Sequence, residues 1–594
     1  MAVSYKAPIK DIIFAYDVIN CYEILNKVEN FKSFGSDTLE PIVEECAKFA
    51  EEVLAPINSI GDKQGAVFEN GIVRMPTGFK EAYEKFIQAG WASISLPTDI
   101  GGGGLPYALS GATLEILCTA NMAFVLGPGL SIGAISGINF HANQEQKDRY
   151  LPDLVSGNWT GTMNLSEPQS GSDLSNISTK AIKNSDGTYN ITGTKIWIGS
   201  GEHDLSKNII HLVLAKVPGS PEGTKGISMF IVPKYLVNED GSLGEQNKVN
   251  CISIEEKLGI HGSPTCVMEY SGSKGYLVGE ENMGLTYMFT TINEARIRAG
   301  GHGLACASGA LQGASQYARD RVQGRPVGMS KEEAKSSTII DHADVRRTLM
   351  TMKSYIDAMR YAMYDNQLML DLEYFAEGET RVFGKERCGI LTPICKAWLS
   401  DLSVDLTSMA IQVYGGMGYV EETGIAQYFR DARIAPIYAG TNGIQAEDLV
   451  FRKITVNDGK AAEALFDEMK LNINSMKKFE NLQILSEILN KHVGELEKAT
   501  RYLTDQIKNG NLASVSASGT PYLKMFGQVL GGHYMGKAAM VATKKFKEDK
   551  DEFYKNKITL SKFYIEQLLP LSSSYAPSIF LGNENLYSIN SSRL

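Results

Sequence analysis

From Thr38 to about Gly90, apolar residues recur every three or four positions, as in Ile42, Val43, Cys46, Phe49 and Val53, with Glu and Lys between them. That spacing predicts amphipathic helices. Gly101-Gly102-Gly103-Gly104 reads as a loop, and the apolar run from Ala112 to Val125 as a buried helix. The pattern changes after Gly157. Alternating, β-branched stretches follow over Tyr189 to Ile198, Ile209 to Ala215 and Ile227 to Val232, separated by turns such as Pro218-Gly219-Ser220-Pro221. They predict a small β domain ending near Gly279. Helical spacing returns at Met283 and lasts to about residue 455, with a polar connector at Ser330-Lys331-Glu332-Glu333 and a long helix over Val345 to Leu370. A further helical tail runs from Gly459 to about Tyr575, marked by Leu482, Ile484, Leu485, Ile488, Leu489, Val493 and Leu496. Pro577 to Leu594 is rich in Asn and Ser and reads as a cap or a loose end.

This order of helices, strands and then helices again fits neither a Rossmann nor a barrel arrangement, so the expected fold class is α+β multidomain. The expected division is an N-terminal extension over 1–35, a helical domain over 36–157, a middle β domain over 158–280, a second helical domain over 281–455 and an additional helical domain over 456–594. A chain of 594 residues suits several such cores better than one.

Composition narrows the partners. A net charge of −10 without any Lys/Arg block argues against nucleic acid, while an anionic ligand would need only a local positive site. Eight cysteines with no Cys-x-x-Cys pair suggest neither zinc nor a redox dithiol but buried thiols in a reducing compartment; Cys388 and Cys395, seven apart, read as helix packing. Met1 to Asn20 lacks the apolar core of a secretion signal, and no run looks like the ~18–20 apolar residues of a membrane helix. A cytoplasmic location without a membrane span is expected.

Four segments carry chemistry, the last of them in two stretches. Asn164-Leu165-Ser166-Glu167-Pro168-Gln169-Ser170-Gly171-Ser172-Asp173 precedes the β domain; taken alone it is a turn, yet its small residues allow close backbone approach to a carbonyl or phosphate. Thr194-Lys195-Ile196-Trp197-Ile198-Gly199-Ser200-Gly201 places a tryptophan in a strand, by default a core residue. Tyr317-Ala318-Arg319-Asp320-Arg321-Val322-Gln323-Gly324-Arg325 reads as a solvated basic helix end or as a guanidinium fork for phosphate. Gln412-Val413-Tyr414-Gly415-Gly416-Met417-Gly418-Tyr419 is followed by Ile434-Ala435-Pro436-Ile437-Tyr438-Ala439-Gly440-Thr441-Asn442-Gly443-Ile444-Gln445.

In this order the four segments resemble the signatures of acyl-CoA dehydrogenases over about residues 36–455, and Tyr5-Lys6-Ala7-Pro8 with the helical tail resembles the long subfamily that includes 3-methylthiopropanoyl-CoA dehydrogenases. The resemblance implies a four-helix-bundle-like domain over 281–455, FAD as cofactor, an acyl-CoA substrate, an electron-transfer flavoprotein as acceptor, and a homodimer or homotetramer. It implies that Met163, Leu165, Ser166, Ser172, Trp197 and Gly199 line the flavin, and that Arg321, Gln412, Gly416, Thr441 and Gly443 hold other parts of FAD, some across a subunit interface. Ser172, Asn293, Arg296, Tyr438 and Gly440 would serve the acyl-CoA. The pattern departs at Asn164 and Asn176, at Gly199 where Thr or Ser is usual, and at Gln427 where Lys or Arg is usual.

The largest departure is Ala439, which stands where the family signature Tyr-Glu-Gly-Thr carries its base. In the family that glutamate removes the proton α to the thioester carbonyl while flavin N5 accepts a hydride from the β-carbon, giving a trans-2-enoyl-CoA. Some relatives place the base at the position of Ala295; Glu294 is one residue away, about 100° around a helix. Glu447 lies eight residues beyond Ala439. Three readings follow: a deliberate Glu→Ala replacement in an active dehydrogenase, a relocated base, or a binder of FAD and acyl-CoA without turnover. An acyl-CoA oxidase would use the same residues and pass electrons to oxygen.

Overall fold

The computed structural model describes residues 5–594, with the backbone alone at position 336. It divides into two compact units. One comprises Met1–Ala47, Pro106–Thr119 and Ile297–Leu594; the other comprises Lys48–Leu105 and Ala120–Arg296. The helices Tyr107–His141 and Gly284–Asp320 each contribute to both units.

The second unit is built around a seven-stranded sheet. The strands run in the order 249–254, 265–277, 189–199, 180–183, 208–216 and 159–164, and 227–233 pairs with both 265–277 and 208–216. That double pairing closes five strands into a ring. Alternation sends Ile191, Ile198, Val213, Phe230 and Met268 into one core; Ile210, Leu212, Met229 and Ile231 join Leu151, Leu154 and Trp159 in another. A short hairpin, Val67–Glu69 with Ile72–Arg74, interrupts a stretch whose apolar spacing predicts only helix. Its turn is Asn70-Gly71, both at positive φ (53° and 81°), the two-residue connection that matches strand twist.

The expected helix at Ala112 to Val125 is part of a longer one, Tyr107–His141. Its helical geometry breaks at Asn121 (φ −161°, ψ 88°), whose Oδ1 accepts from Phe124 N at 3.0 Å and so restarts the helix. By length and apolar content alone this helix could cross a membrane. However, 78% of its most apolar 18-residue window is buried inside the protein, as for a core helix.

In the first unit, the long helices Ala343–Phe375, Gly378–Tyr414 and Leu512–Asp549 pack through buried faces rich in Met, Ala, Tyr and Leu. Backbone N–H groups of Tyr107 and Ala108 donate to the Asp371 carboxylate at 2.6 and 2.8 Å, satisfying the start of the helix Tyr107–His141. Lys6 N donates to Gln312 Oε1 at 3.1 Å, which fixes the amino-terminal segment. The eight cysteines are buried, Cys388 and Cys395 on one helix as their spacing suggests.

A balanced set of buried charges ties four elements of this unit together. Lys557 donates to Asp357 (2.7 Å) and pairs with Asp11 (2.6 Å); Lys353 pairs with Asp11 at 2.9 Å. Arg360 joins Asp357 to Glu115, which also accepts from Tyr364 Oη at 2.8 Å. Burial pushes the Asp11 carboxyl up, but the charges of Lys353, Lys557 and Arg360 outweigh it and hold the group well below the usual carboxylate range.

Candidate active site

The strand Tyr189–Gly199 does not carry Trp197 into the core. Between the pairs Lys195↔Met268 and Ile198↔Cys266 the register slips, so Ile196 and Trp197 together oppose Val267. Trp197 sits at φ 62°, in the left-handed region, and is 58% exposed. A large aromatic residue held there costs of order 1–3 kcal/mol and persists only where the surroundings impose it. An exposed, rigid indole face suits stacking on a planar ring system. The core placement that strand tryptophans usually take is overturned here.

The Asn164–Asp173 loop runs beside that strand. Leu165 O accepts from Lys195 Nζ at 3.0 Å and Ser166 O accepts from Ile196 N at 3.0 Å. Met163, Leu165 and Ser166 are half-buried, and Ser172 is exposed. The structure thus gathers Leu165, Ser166 and Trp197 on one strand-and-loop framework. The departure at Asn164 has a local explanation: its buried amide donates to Thr162 Oγ1 (2.8 Å) and accepts from Tyr270 Oη (2.9 Å). Gly199 has one as well, because a Cβ there would lie 2.9 Å from Leu130 Cδ1, so Thr or Ser would displace Leu130. Asn176 contributes only its carbonyl, to Gln169 Nε2 at 3.0 Å. We expect Trp197→Ala to weaken FAD binding by about 1–3 kcal/mol, the scale of aromatic stacking on a planar base, measured by reconstitution of apoprotein.

In the same unit, Asn293 is exposed and Arg296 buried on the helix Gly284–Asp320. Glu294 is turned away from Ala295, as expected: it is buried and accepts from Ser136 Oγ at 3.2 Å.

The other unit holds the remaining signature residues. Ala439 (φ 55°) and Gly440 (φ 82°) form a left-handed turn, and Thr441 then caps the short helix Asn442–Asp448. Asn442 anchors the turn to the helix Gly378–Tyr414: its amide donates to Asp401 Oδ1 at 2.6 Å and accepts from Lys396 Nζ at 2.8 Å. Tyr438 Oη hydrogen-bonds His302 Nδ1. Burial, helped by the charge of Arg298, lowers the His302 pKa to about 3, so the ring is neutral. The sequence gives no signal for Lys396 or His302, because their partners lie 46 and 136 residues away. Glu447 is engaged elsewhere, accepting from Ser516 Oγ at 2.9 Å. Gln427 is buried, donating to Asp431 at 3.3 Å.

Arg321, Gln412 and Gly416 are all exposed, with Gly443. Arg321 follows the last turn of the helix Gly284–Asp320, and Gln412 lies in the last turn of the helix Gly378–Tyr414. These ends are joined, since Tyr317 and Tyr414 stack at 4.2 Å and 14° and Tyr414 Oη donates to Gly313 O at 3.2 Å. A guanidinium and an amide at one exposed end suit phosphate and polar ligand groups.

Along its length the chain is similar to flavin-dependent dehydrogenases of acyl thioesters. Residues 36–158, 162–272 and 282–453 match the acyl-CoA dehydrogenase N-terminal, middle and C-terminal domains, and 465–590 match an acetyl-CoA dehydrogenase C-terminal-like domain. The chain belongs to the acyl-CoA dehydrogenase family. It is 40% identical to 3-methylmercaptopropionyl-CoA dehydrogenase of Ruegeria pomeroyi, covering 96% of both chains. It is 33% identical to a butyryl-CoA dehydrogenase of Syntrophomonas wolfei, covering 96% of this chain and 95% of that one. An acyl-CoA dehydrogenase structure from Bacillus anthracis, complexed with FAD, superposes with a TM-score of 0.73 at 21% identity, covering 94% of this chain and 91% of that one.

Proposed function

We propose that this protein is built for FAD-dependent α,β-dehydrogenation of an acyl-CoA thioester to a trans-2-enoyl-CoA, with 3-methylthiopropanoyl-CoA as the leading substrate, and that Ala439, a Glu→Ala replacement at the base, leaves turnover impaired. FAD, when bound, supplies the hydride acceptor. Trp197 offers a stacking face, Leu165 and Ser166 offer backbone groups, Arg321 suits the diphosphate, and Gln412 with Gly416 suits the other end of the cofactor. Residue 439 is the position from which a carboxylate would take the α-proton; alanine keeps the backbone N–H that would serve a developing enolate oxygen but has no proton acceptor. The reading includes an electron-transfer flavoprotein as acceptor, a homodimer or homotetramer completed at the exposed Arg321–Gln412 end, and a cytoplasmic location.

The exposed, left-handed Trp197 carries this reading. Ala439 adds support: a left-handed position with no need of a side chain favours glycine, yet the β-carbon is kept. A natural binder without turnover is the second reading, favoured by the engagement of both nearby alternative carboxylates, Glu294 with Ser136 and Glu447 with Ser516. The test is titration of FAD-loaded protein with 3-methylthiopropanoyl-CoA under anaerobic conditions. The flavin spectrum should shift without bleaching. Protein that takes up no FAD, or whose flavin ignores every acyl-CoA, defeats the proposal. Peroxide formation by the Ala439→Glu protein would instead identify an oxidase.

A further inference from the structure

Glu167 and Lys195 lie 28 residues apart and form an ion pair of 2.8 Å with side chains 1% and 0% exposed. The carboxylate is saturated. Oε2 accepts from Ser178 N (2.6 Å), Ser178 Oγ (2.8 Å) and Gln169 Nε2 (2.8 Å), and Oε1 from Thr179 N (3.1 Å) and Thr179 Oγ1 (2.6 Å) besides Lys195. Burial lifts the Glu167 carboxyl, but the Lys195 charge and these donors prevail and hold it at about 2. The ammonium has a second task, donating to Leu165 O at 3.0 Å. The turn is closed by reciprocal bonds, Glu167 N to Ser170 O (2.8 Å) and Ser170 N to Glu167 O (2.9 Å).

Buried pairs of this kind add little net stability compared with apolar residues of the same volume, so the reason for keeping one has to be geometric. Here the geometry is specific. Lys195 is two residues before the left-handed Trp197, and its ammonium fixes the carbonyl of Leu165, while Ile196 N fixes that of Ser166. One side chain therefore sets both the peptide plane between Leu165 and Ser166 and its distance from the strand that displays the indole.

We propose that the Lys195–Glu167 pair is a positioning device for FAD, which presets the Leu165–Ser166 peptide and Trp197 as a single rigid surface before the cofactor arrives. The inference rests on the FAD reading above and deepens it. Neither residue touches the ring; each acts through the backbone it holds.

Lys195→Met alone strands a buried carboxylate and risks the fold. The informative variant is Lys195→Met with Glu167→Gln, in which the glutamine carbonyl still accepts from either the Ser178 or the Thr179 donors, though not from both, while the charge and the Leu165 anchor both vanish. FAD affinity of the apoprotein, the holo-protein flavin spectrum and the quenching of Trp197 fluorescence are measured beside the thermal midpoint. FAD affinity should fall by about ten- to a hundredfold, the scale on which outer-shell partners act in metal sites, with an altered flavin spectrum in protein that is still folded at the assay temperature. A double variant that binds FAD with unchanged affinity and spectrum overturns the proposal, whereas unmodified protein that binds no FAD overturns the underlying reading. Hydrogen exchange on the unmodified apoprotein gives a second test independent of any variant. The Glu167 and Ser170 amides should be protected before FAD is added, and exchange at the rate of an open loop contradicts the device.

Discussion

Ala439→Glu is expected to speed acyl-CoA-dependent flavin bleaching by a factor on the order of 10²–10⁴, the contribution of a positioned general base. The backbone at 439 is already in the left-handed region, and the residue is only half-buried. The cost of a non-glycine residue at φ 55° is already borne by alanine, and the fold should therefore accept the change. Of the two alternative carboxylates that the sequence offers, Glu294 is buried and accepts from Ser136, and Glu447 accepts from Ser516. Rapid anaerobic mixing of the two holo-proteins with 3-methylthiopropanoyl-CoA measures the ratio. Equal rates would remove position 439 from the chemistry.

The second large effect concerns stability. Lys557→Met removes the cation shared by Asp11 and Asp357 from a site where Lys557 is 3% exposed and Asp357 fully buried. Truncating one partner of a buried network leaves uncompensated charge and costs about 3–5 kcal/mol, read as a lower denaturation midpoint. A loss under about 1 kcal/mol, typical of an exposed pair, would contradict it. The same network has a pH signature. The Asp11 carboxyl is held below its unfolded value of about 3.9, so its contribution to stability is fully present above that pH. It is lost as pH falls through the lower folded-state value, because the unfolded chain then binds the proton first. Asp11→Asn should flatten the acid limb of the stability profile, and an unchanged limb would contradict the assignment.

How much of this could be read from the chain depends on how local each signal is. The strands 189–199, 208–216 and 227–233 announce themselves by alternation, and the helix Ala343–Phe375 by its period, because both patterns lie within one element. The hairpin at Val67–Arg74 was written in Asn70-Gly71 but masked by helical spacing on either side. The helix Tyr107–His141 was underestimated because its small residues, Gly111 and Gly127 among them, dilute the apolar run.

In the site, motif wording points to Trp197 and Ala439, whereas the outward turn of Trp197 depends on a bulge that only strand pairing reveals. Glu167–Lys195, Asn442–Lys396 and His302–Tyr438 are contacts between distant segments, and nothing in the spacing of one partner specifies the other.

The central claim is that residue 439 acts on the proton next to the thioester carbonyl. It is tested most directly by mixing FAD-loaded Ala439→Glu protein anaerobically with acyl-CoA deuterated at the α-carbon and following flavin bleaching. Bleaching slowed severalfold by the heavier isotope, and absent on the same timescale from the Ala439 protein, is the predicted result. Bleaching of the Ala439 protein at the same rate as the Ala439→Glu protein would contradict it.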